Sequence, residues 1–297
     1  MWCPAMAVLR ALCAMKITKI VPRRFTGMKY GCRAHDYGCH SPEDLAEILQ
    51  SNGYNAAQLA LPKAICGIRS VDDVSPHMQE AVRTAFERHH IEITILSCYR
   101  DLSNPDDHVR RAAVNDVCQT LAYQNALGAC AVGSESSFGV LTEEQKDATF
   151  PLLTDSVLRI VEKAAAVDGV FALEPVFVHT VGTLEKVRTL LEQVADPLHF
   201  KIIFDPVNVL TIRDVSNQDR FWPAWCEVIG DHLAAVHVKD VIFQPKGKQL
   251  PAALGKGQMD YAPLCSWLHQ RHPDVALLRD EVILSCAQAD LAYMRQM

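Results

Sequence analysis

The sequence predicts a single-domain α/β protein folded as a (β/α)8 TIM barrel. Three features lead to this prediction: eight short aliphatic or β-branched runs, a segment of helical period after each run, and no Pro-, Gly- or Ser-rich linker between them. Short apolar runs that alternate with longer amphipathic segments are typical of βα units in a parallel sheet. Eight such units favour a closed barrel over a doubly wound sheet, which usually needs fewer strands for one domain.

The strands are predicted where a short apolar run ends in polar residues. In chain order they are Lys29 to Arg33, Asn55 to Leu59, Glu92 to Leu96, Ala129 to Val132, Gly169 to Leu173, Lys201 to Phe204, Ala234 to Val238 and Ala276 to Leu278. The helices are predicted from apolar residues at helical spacing, and Ser41 before Pro42 marks the start of the first one. They are Pro42 to Gln50, Ser75 to Arg88, Pro105 to Leu127, Thr142 to Val167, Thr183 to Gln193, Arg220 to Ile229, Tyr261 to His269 and Ala287 to Arg295.

The barrel is predicted to take up residues 28–297 as one domain. Residues 1–27 fall outside the pattern and are left as an N-terminal extension with no assigned role. A chain of 297 residues suits one α/β barrel with modest additions. Hydrophobic residues make up 49% of the chain, which is enough to fill a barrel interior and one face of each surrounding helix.

Charge and composition argue against nucleic acid and membrane partners. The formal net charge is -6, and no run of Lys or Arg could follow a phosphate backbone. No window reaches the length of about 18 apolar residues that a bilayer span needs. The 11 cysteines are scattered without a C-x-x-C pair, which is typical of reduced thiols. In the N-terminal stretch the charges follow the apolar part, the reverse of a signal peptide, so the expected location is the cytoplasm.

Four strand ends carry residues that commonly bind metals. The fifth predicted strand leads to Glu174, the sixth to Asp205, the seventh passes through His237, and the eighth leads to Glu281. They are separated by 31, 32 and 44 residues, close to one βα unit per step, which places them on adjacent strands. Because the carboxyl ends of barrel strands meet on one face, we expect the four side chains to converge.

A divalent metal ion would satisfy these four residues together. Three carboxylates gathered with one imidazole would repel one another without a cation, and burial would raise their pKa values. A ligand set rich in oxygen with one nitrogen suits Mn²⁺ first, with Mg²⁺, Co²⁺ or Zn²⁺ as alternatives. For any one acid alone, a helix cap or an ion pair is the more common role. Their joint occurrence at one end of four successive strands favours a shared metal site.

Five short segments carry a likeness to a known family. They are Leu173-Glu174-Pro175, Phe204-Asp205-Pro206-Val207-Asn208, His237-Val238-Lys239-Asp240, Gly255-Lys256-Gly257-Gln258-Met259-Asp260-Tyr261 and Arg279-Asp280-Glu281. Together they resemble the xylose-isomerase-like barrel superfamily of sugar phosphate isomerases and epimerases, which includes the ketose 3-epimerases and endonuclease IV. The likeness runs from about Met28 to the C-terminus.

The resemblance implies a metal-dependent isomerase or epimerase that acts on a sugar or sugar phosphate. It places Glu174, Asp205, His237 and Glu281 at the metal-ligand positions of the family, and Glu174 and Glu281 as the acid/base pair. In that mechanism one glutamate removes a proton next to a carbonyl and the metal stabilises the resulting enediolate. The other glutamate returns a proton on the opposite face. The implied partner is a small carbohydrate, and barrels of this family often pair as homo-oligomers.

One position departs from the epimerase pattern and keeps other functions open. Epimerases often carry a His three residues after the sixth-strand Asp, whereas Asn208 stands here and cannot take a proton. The same site could serve a lyase or dehydratase that expels a β-substituent from a keto sugar, a keto-glycoside or an inosose. An endonuclease IV-like nuclease is disfavoured, because Asn208 removes one of the histidines it needs and the net charge is -6. A sugar-binding barrel without turnover is disfavoured because both glutamates are retained.

Six further residues near the strand ends are predicted to contact the substrate. They are His35, Lys63, Arg100, His179, Asn208 and Lys239. A Lys or Arg at the barrel mouth can hold a phosphate or carboxylate, and a His or Asn can hydrogen-bond a sugar hydroxyl. Each could instead belong to a solvated loop or to an ion pair at the barrel rim, which for Arg100 would be with Asp101 or Asp106.

Overall fold

A closed parallel barrel forms the centre of the computed structural model, which describes residues 27–244 and 249–297. The described strands are β1 (Lys29–Arg33), β2 (Ala56–Leu59), β3 (Glu92–Ser97), β4 (Ala131–Glu135), β5 (Phe171–Glu174), β6 (Phe200–Phe204), β7 (Leu233–Val238), β8 (Asp240–Phe243), β9 (Gln249–Ala252) and β10 (Ala276–Arg279). Strands β1 to β7 and β10 close the barrel with every neighbouring pair parallel, and β8 and β9 form a separate antiparallel hairpin. The predicted barrel is confirmed. The predicted N-terminal extension, apart from Gly27, lies outside the described residues.

Helices follow the barrel strands as the sequence predicts. Those described are α1 (Pro42–Ser51), α2 (Leu61–Ala64), α3 (Pro76–Arg88), α4 (Asp107–Leu127), α5 (Glu143–Ala166), α6 (Leu184–Val194), α7 (Pro206–Val209), α8 (Gln218–Ile229), α9 (Ala262–Arg271) and α10 (Ala287–Met294). Several begin at a hydroxyl side chain, and Thr142 and Gln145 form a reciprocal capping box at the start of α5. The short helices α2 and α7 and the β8–β9 hairpin were not predicted, because none of them has a full period of apolar residues.

The strand boundaries differ most from prediction at β4. The prediction ended this strand at Val132, whereas the ladder continues through Ser134 to Glu135, which pairs in register with Glu174 of β5. Of the two polar residues that end the strand, Glu135 faces the inside of the barrel and Ser134 the outside, so hydrophobicity alone places the boundary too early. The polar ends of the strands are therefore part of the barrel and supply its inner lining.

Small and aliphatic side chains fill the barrel interior in one layer, here called the interior layer. It comprises Gly31, Ala56, Ile95, Gly133, Ala172, Ile203, Ala235 and Leu278, one residue from each strand. A Cβ atom on Gly133 would lie 2.7 Å from side-chain carbons of both Ile95 and Ile203, which shows how closely the layer is packed. A packed layer of this kind closes the barrel below any site at its carboxyl end.

Aromatic residues seal the opposite face of β6 against the helices. Phe204 is fully buried, stacks on Trp225 with ring centroids 5.6 Å apart, and meets Trp222 edge-on at 6.1 Å. Because Ile203 points into the barrel, its neighbour Phe204 points outwards, and the next residue, Asp205, points inwards again. Packing around Phe204 therefore helps to set the position of Asp205.

Replacing Phe204 by alanine is expected to lower the free energy of unfolding by about 3–5 kcal/mol, since it leaves a cavity between the barrel and α8. Urea denaturation followed by circular dichroism measures this loss. The control is Leu198→Ala, whose side chain is 74% exposed and whose removal should change stability by no more than about 0.5 kcal/mol. Equal losses in the two variants would contradict the packing described here.

Among the described residues, no helix has the length and hydropathy needed to cross a bilayer. The cytoplasmic location, the homo-oligomer and the exclusion of nucleic acid partners stay predictions from the sequence.

Candidate metal centre and substrate cavity

A ring of polar side chains lies directly above the interior layer. Side chains alternate along a strand, so the residue two positions after each member of that layer also points inwards. These eight residues, here called the upper ring, are Arg33, Gln58, Ser97, Glu135, Glu174, Asp205, His237 and Asp280. All of them except Asp205, which is fully buried, line one cavity of about 640 Å³ at the carboxyl end of the barrel.

Three members of the upper ring form a metal-compatible cluster. Glu174, Asp205 and His237 each present one ligand atom, and these atoms lie within 4.8 Å of one another. His237 Nδ1 lies 3.3 Å from Glu174 Oε1 and 3.8 Å from Asp205 Oδ2. Two ligands at right angles on an ion with bonds of about 2.1 Å lie roughly 3 Å apart. The geometry and the donor set therefore fit one divalent cation with little rearrangement.

Glu174 is held by two neighbours that line the cavity. Tyr99 Oη donates a hydrogen bond of 2.5 Å to Glu174 Oε2, and Asn208 Nδ2 donates one of 2.8 Å to Oε1. Gln58 Nε2 donates in turn to the Tyr99 hydroxyl at 3.0 Å. A carboxylate whose two oxygens are both oriented in this way is preorganised to accept a metal or a proton.

The two carboxylate oxygens of Asp205 have different roles: one caps a helix and the other faces the cluster. Its Oδ1 accepts the backbone N–H of Asn208 at 3.1 Å and so caps α7, which is the helix-capping role considered for each acid. Its Oδ2 is buried, has no hydrogen bond to any described residue, and lies 3.0 Å from Lys239 Nζ as an ion pair. One carboxylate oxygen thus remains directed at the cluster.

His237 and Glu174 form a buried ion pair within the cluster. Burial alone would lower the pKa of His237, but the charge of Glu174 and their hydrogen bond raise that pKa to about 9. Burial alone would raise the pKa of Glu174, but the charge of His237 holds it below its usual range. The other ring nitrogen of His237, Nε2, is buried with no hydrogen-bond partner among the described residues. The imidazole therefore carries a proton at neutral pH that a metal must displace.

The apparent affinity for Mn²⁺ is expected to rise about tenfold per pH unit between pH 6.5 and 8.5, because the imidazole of His237 must lose its proton to bind metal. Titration against a competing chelator measures this slope. A His179→Gln variant should keep the same slope, since its ring is outside the cluster. An affinity independent of pH over this range would contradict His237 as a ligand.

The adjacent acids Asp280 and Glu281 are placed differently. Asp280 belongs to the upper ring, is buried, and pairs with Lys239 Nζ at 3.1 Å and with Arg33 Nη1 at 2.9 Å. Glu281 follows it with a backbone φ of 54°, a left-handed conformation that costs energy for residues other than glycine. Its side chain lines the cavity 46% exposed, and Oε1 lies 3.8 Å from Lys239 Nζ. The structure thus brings Glu281 to the edge of the site, whereas its assignment as a fourth ligand stays a prediction.

All six residues predicted to contact the substrate line the cavity: His35, Lys63, Arg100, His179, Asn208 and Lys239. Their contacts within the protein differ. Arg100 forms an ion pair with Asp116 at 2.7 Å, so the alternative partners Asp101 and Asp106 were wrong. Lys239 Nζ donates to Asn208 Oδ1 at 3.0 Å, which joins both residues to the cluster.

Two residues of the cavity wall were not among the site residues predicted from the sequence. Tyr99 had no predicted role, yet it contacts Glu174 directly. From the sequence, Glu135 could either face the pocket or cap the next helix, and capping was favoured. Thr142 fills the capping role, whereas Glu135 lines the cavity and its Oε2 lies 3.6 Å from His179 Nδ1. Burial and the charge of Glu174 raise the pKa of Glu135 to about 8. Strict alternation along β4 would have placed Glu135 in the cavity, because Gly133 lies two residues before it.

Three solved structures share this fold at low sequence identity. The 3-keto-D-glucoside 4-epimerase from E. coli matches with a TM-score of 0.70 and 18% identity, over 91% of this chain and 100% of that one. The IOLI protein, solved with a zinc atom, matches with a TM-score of 0.67 and 16% identity, over 91% and 96%. The probable 3-DHS dehydratase AsbF from Bacillus anthracis matches with a TM-score of 0.65 and 15% identity, over 90% and 99%. At these identities the likeness concerns the fold.

Sequence comparison assigns the family. None of the curated proteins compared with the chain matches it. The family model for the xylose isomerase-like TIM barrel matches residues 45–281, well over half of the sequence. This match agrees with the closed parallel barrel and with the likeness recognised in its strand ends. The chain belongs to the xylose isomerase-like TIM barrel family.

Proposed function

We propose that the chain is a divalent-metal-dependent isomerase or epimerase of keto sugars. One observation carries the proposal: Glu174, Asp205 and His237 present ligand atoms within 4.8 Å of one another, beside a cavity of about 640 Å³. That volume lies in the range of about 300–1,000 Å³ that small-molecule sites occupy. A metal cluster at the wall of a cavity of this size is suited to holding a small polyhydroxy ligand.

Glu174, Asp205 and His237 would hold the metal, for which Mn²⁺ is the first choice, and it would supply Lewis-acid chemistry at the oxygens of the keto sugar. Glu174, with Glu281 as the second member of the pair, moves the proton at the adjacent carbon. Glu281 follows β10 and Glu174 ends β5, with β6 and β7 between them, so the two carboxylates reach the ligand from different directions. That separation suits removal of a proton on one face and its return on another.

Tyr99, Asn208 and Lys239 serve as positioning residues in this scheme. Tyr99 and Asn208 fix the carboxylate of Glu174 through hydrogen bonds of 2.5 and 2.8 Å. Lys239 is charged, because Asp205 and Asp280 raise its pKa against the effect of burial. Asn208 accepts from Lys239 and donates to Glu174, a bridging task that an amide performs without any proton transfer.

A lyase or dehydratase is the second candidate, and Glu135 favours it. This carboxyl lines the cavity and has a pKa raised to about 8, chiefly by burial, so it is protonated at neutral pH. A neutral carboxylic acid can donate its proton to a departing hydroxyl or glycosyl oxygen. The similar structures include both an epimerase and a probable dehydratase, so the fold accommodates either chemistry.

Elemental analysis and solvent exchange test the proposal together. Protein purified without chelator should contain about one equivalent of divalent metal. It should also introduce deuterium next to the carbonyl of at least one member of a panel of keto sugars. EDTA should abolish the exchange and Mn²⁺ should restore it. Exchange accompanied by release of a β-substituent would favour the lyase or dehydratase. Protein that contains no metal and catalyses no exchange would refute both candidate functions.

A further inference from the structure

The cations of the cavity differ in whether the protein already pairs them. Five line it: Arg33, Lys63, Arg69, Arg100 and Lys239. Arg33, Arg100 and Lys239 are each within 3.1 Å of a carboxylate, which neutralises them in the free protein. Within residues 27–244 and 249–297, the side chains of Lys63 and Arg69 form no ion pair or hydrogen bond. Two positive charges in one cavity are therefore available to bind an anionic ligand.

The two unpaired cations lie on one connection, the segment between β2 and α3. Lys63 belongs to α2, and Arg69 follows it before the turn at Ser70. Asp73, four residues after Arg69, accepts the backbone N–H groups of Arg69 and Ser70 through Oδ2, at 2.8 and 3.1 Å. Arg69 is exposed, and its charge contributes to the lowered pKa of Asp73, but the two side chains form no ion pair.

His35 adds a neutral ring to the same cavity. Burial lowers its pKa to about 4, and the charges of Arg33 and Lys63 act in the same direction against those of Asp36 and Asp280. The imidazole is neutral at physiological pH, and its buried Nδ1 has no hydrogen-bond partner among the described residues. A neutral ring of this kind can donate a hydrogen bond to an oxygen atom without adding charge.

The cavity therefore holds two kinds of charged group. The metal cluster and Glu281 supply carboxylates, whereas Lys63 and Arg69 supply positive charge that no carboxylate of the described residues pairs. A monosaccharide alone is smaller than the drug-sized ligands that cavities of about 300–1,000 Å³ hold. A sugar that carries an oxyanion, either a phosphate monoester or a carboxylate, has a charge to match these two cations and adjacent oxygens for the metal cluster.

We propose that Lys63 and Arg69, with His35, bind the oxyanion group of an anionic keto sugar whose carbonyl end lies at the metal cluster. This inference rests on the proposed function for the orientation of the ligand, but the anion site itself does not require catalysis. The group is recognised by charge-assisted hydrogen bonds from two cations on the same connection between β2 and α3. The neutral imidazole of His35 supplies a third donor.

Calorimetric titration of the full chain with three sugars and one inorganic ion tests the proposal. The probes are D-fructose, D-fructose 6-phosphate, 2-keto-D-gluconate and inorganic phosphate. The variants are Lys63→Gln with Arg69→Gln and, as a control, Arg88→Gln with Arg111→Gln. The control removes the same charge from helix surfaces where both side chains are more than 60% exposed. It separates a local site from the effect of net charge.

The wild-type protein and the control are expected to bind at least one anionic probe about tenfold more tightly than the cavity double variant does. Preference for the 6-phosphate identifies a phosphate ester, and preference for the keto acid identifies a carboxylate. The proposal is overturned if no anionic probe distinguishes wild type from the cavity variant, or if the control loses as much. A Glu174→Gln protein should lose Mn²⁺ but keep inorganic phosphate binding, so failure of the metal site and failure of the anion site give different results.

Discussion

A Glu174→Gln variant is expected to bind Mn²⁺ about 10²–10³ times more weakly than the wild-type protein and to show no metal-dependent solvent exchange. Removing one charge from a buried, paired cluster costs about 3–5 kcal/mol, and each 1.4 kcal/mol corresponds to about tenfold in affinity. Glutamine keeps the shape of the side chain but offers a neutral amide beside His237, whose Nδ1 lies 3.3 Å from Glu174 Oε1. Chelator competition measures the affinity, and proton NMR in deuterium oxide measures the exchange.

Glu135→Gln is the matched control for this prediction. Glu135 ends the neighbouring strand, pairs in register with Glu174 and lines the same cavity, but it is not one of the three clustered ligands. Its substitution should leave Mn²⁺ affinity within a few-fold of wild type. Equal losses of affinity in the two variants would show that general cavity charge, not a defined ligand set, holds the ion.

A Glu281→Gln variant is expected to slow solvent exchange by about 10²–10⁴-fold, the usual contribution of a general acid or base. The side chain is 46% exposed and its nearest charged neighbour, Lys239 Nζ, is 3.8 Å away, so folding stability should change little. The exchange rate is measured at saturating Mn²⁺, which removes any effect of weaker metal binding. Urea denaturation provides the stability measurement.

A variant of the neighbouring Asp280 tests which of the two adjacent acids takes part in proton transfer. Its carboxylate lies between Lys239 and Arg33 at 3.1 and 2.9 Å, and its charge complements both cations. Asp280→Asn should therefore destabilise the protein by about 1.5–3 kcal/mol, because it removes one charged partner from each cation while Asp205 still pairs with Lys239 and Asp36 with Arg33. If Glu281→Gln exchanged at the wild-type rate while a folded Asp280→Asn did not exchange, the second acid/base residue would be Asp280.

Predictability from sequence was highest for the barrel itself. The first strand was predicted with both of its observed ends, Lys29 and Arg33, and all eight barrel strands were placed within a few residues. Apolar periodicity is a local property, so it survives without knowledge of the rest of the fold. The polar end of β4 was missed for the same reason: Ser134 and Glu135 belong to the strand but carry no apolar signal.

The sequence also indicated which strand ends hold the candidate cluster. Glu174, Asp205 and His237 end or lie in successive strands, and parallel strands bring such residues to one edge. The alternation of side chains along a strand also predicts that these three residues point into the barrel, because Ala172, Ile203 and Ala235 lie two residues before them and are in its interior. By the same alternation Asp280, two residues after Leu278, points into the barrel, whereas Glu281, the next residue, is out of phase with it.

Local sequence thus determined the eight βα units and their order, and it placed three of the four predicted metal-ligand residues, Glu174, Asp205 and His237, where they cluster, since each depends on the pattern of a single strand. Only the tertiary structure decided the partners: Tyr99 on Glu174, Lys239 between Asp205 and Asp280, and Asp116 on Arg100. It also left Lys63 and Arg69 without partners among the described residues. Closure of the barrel sets these pairings, because it brings together side chains far apart in the chain, and no local pattern records the distances between them.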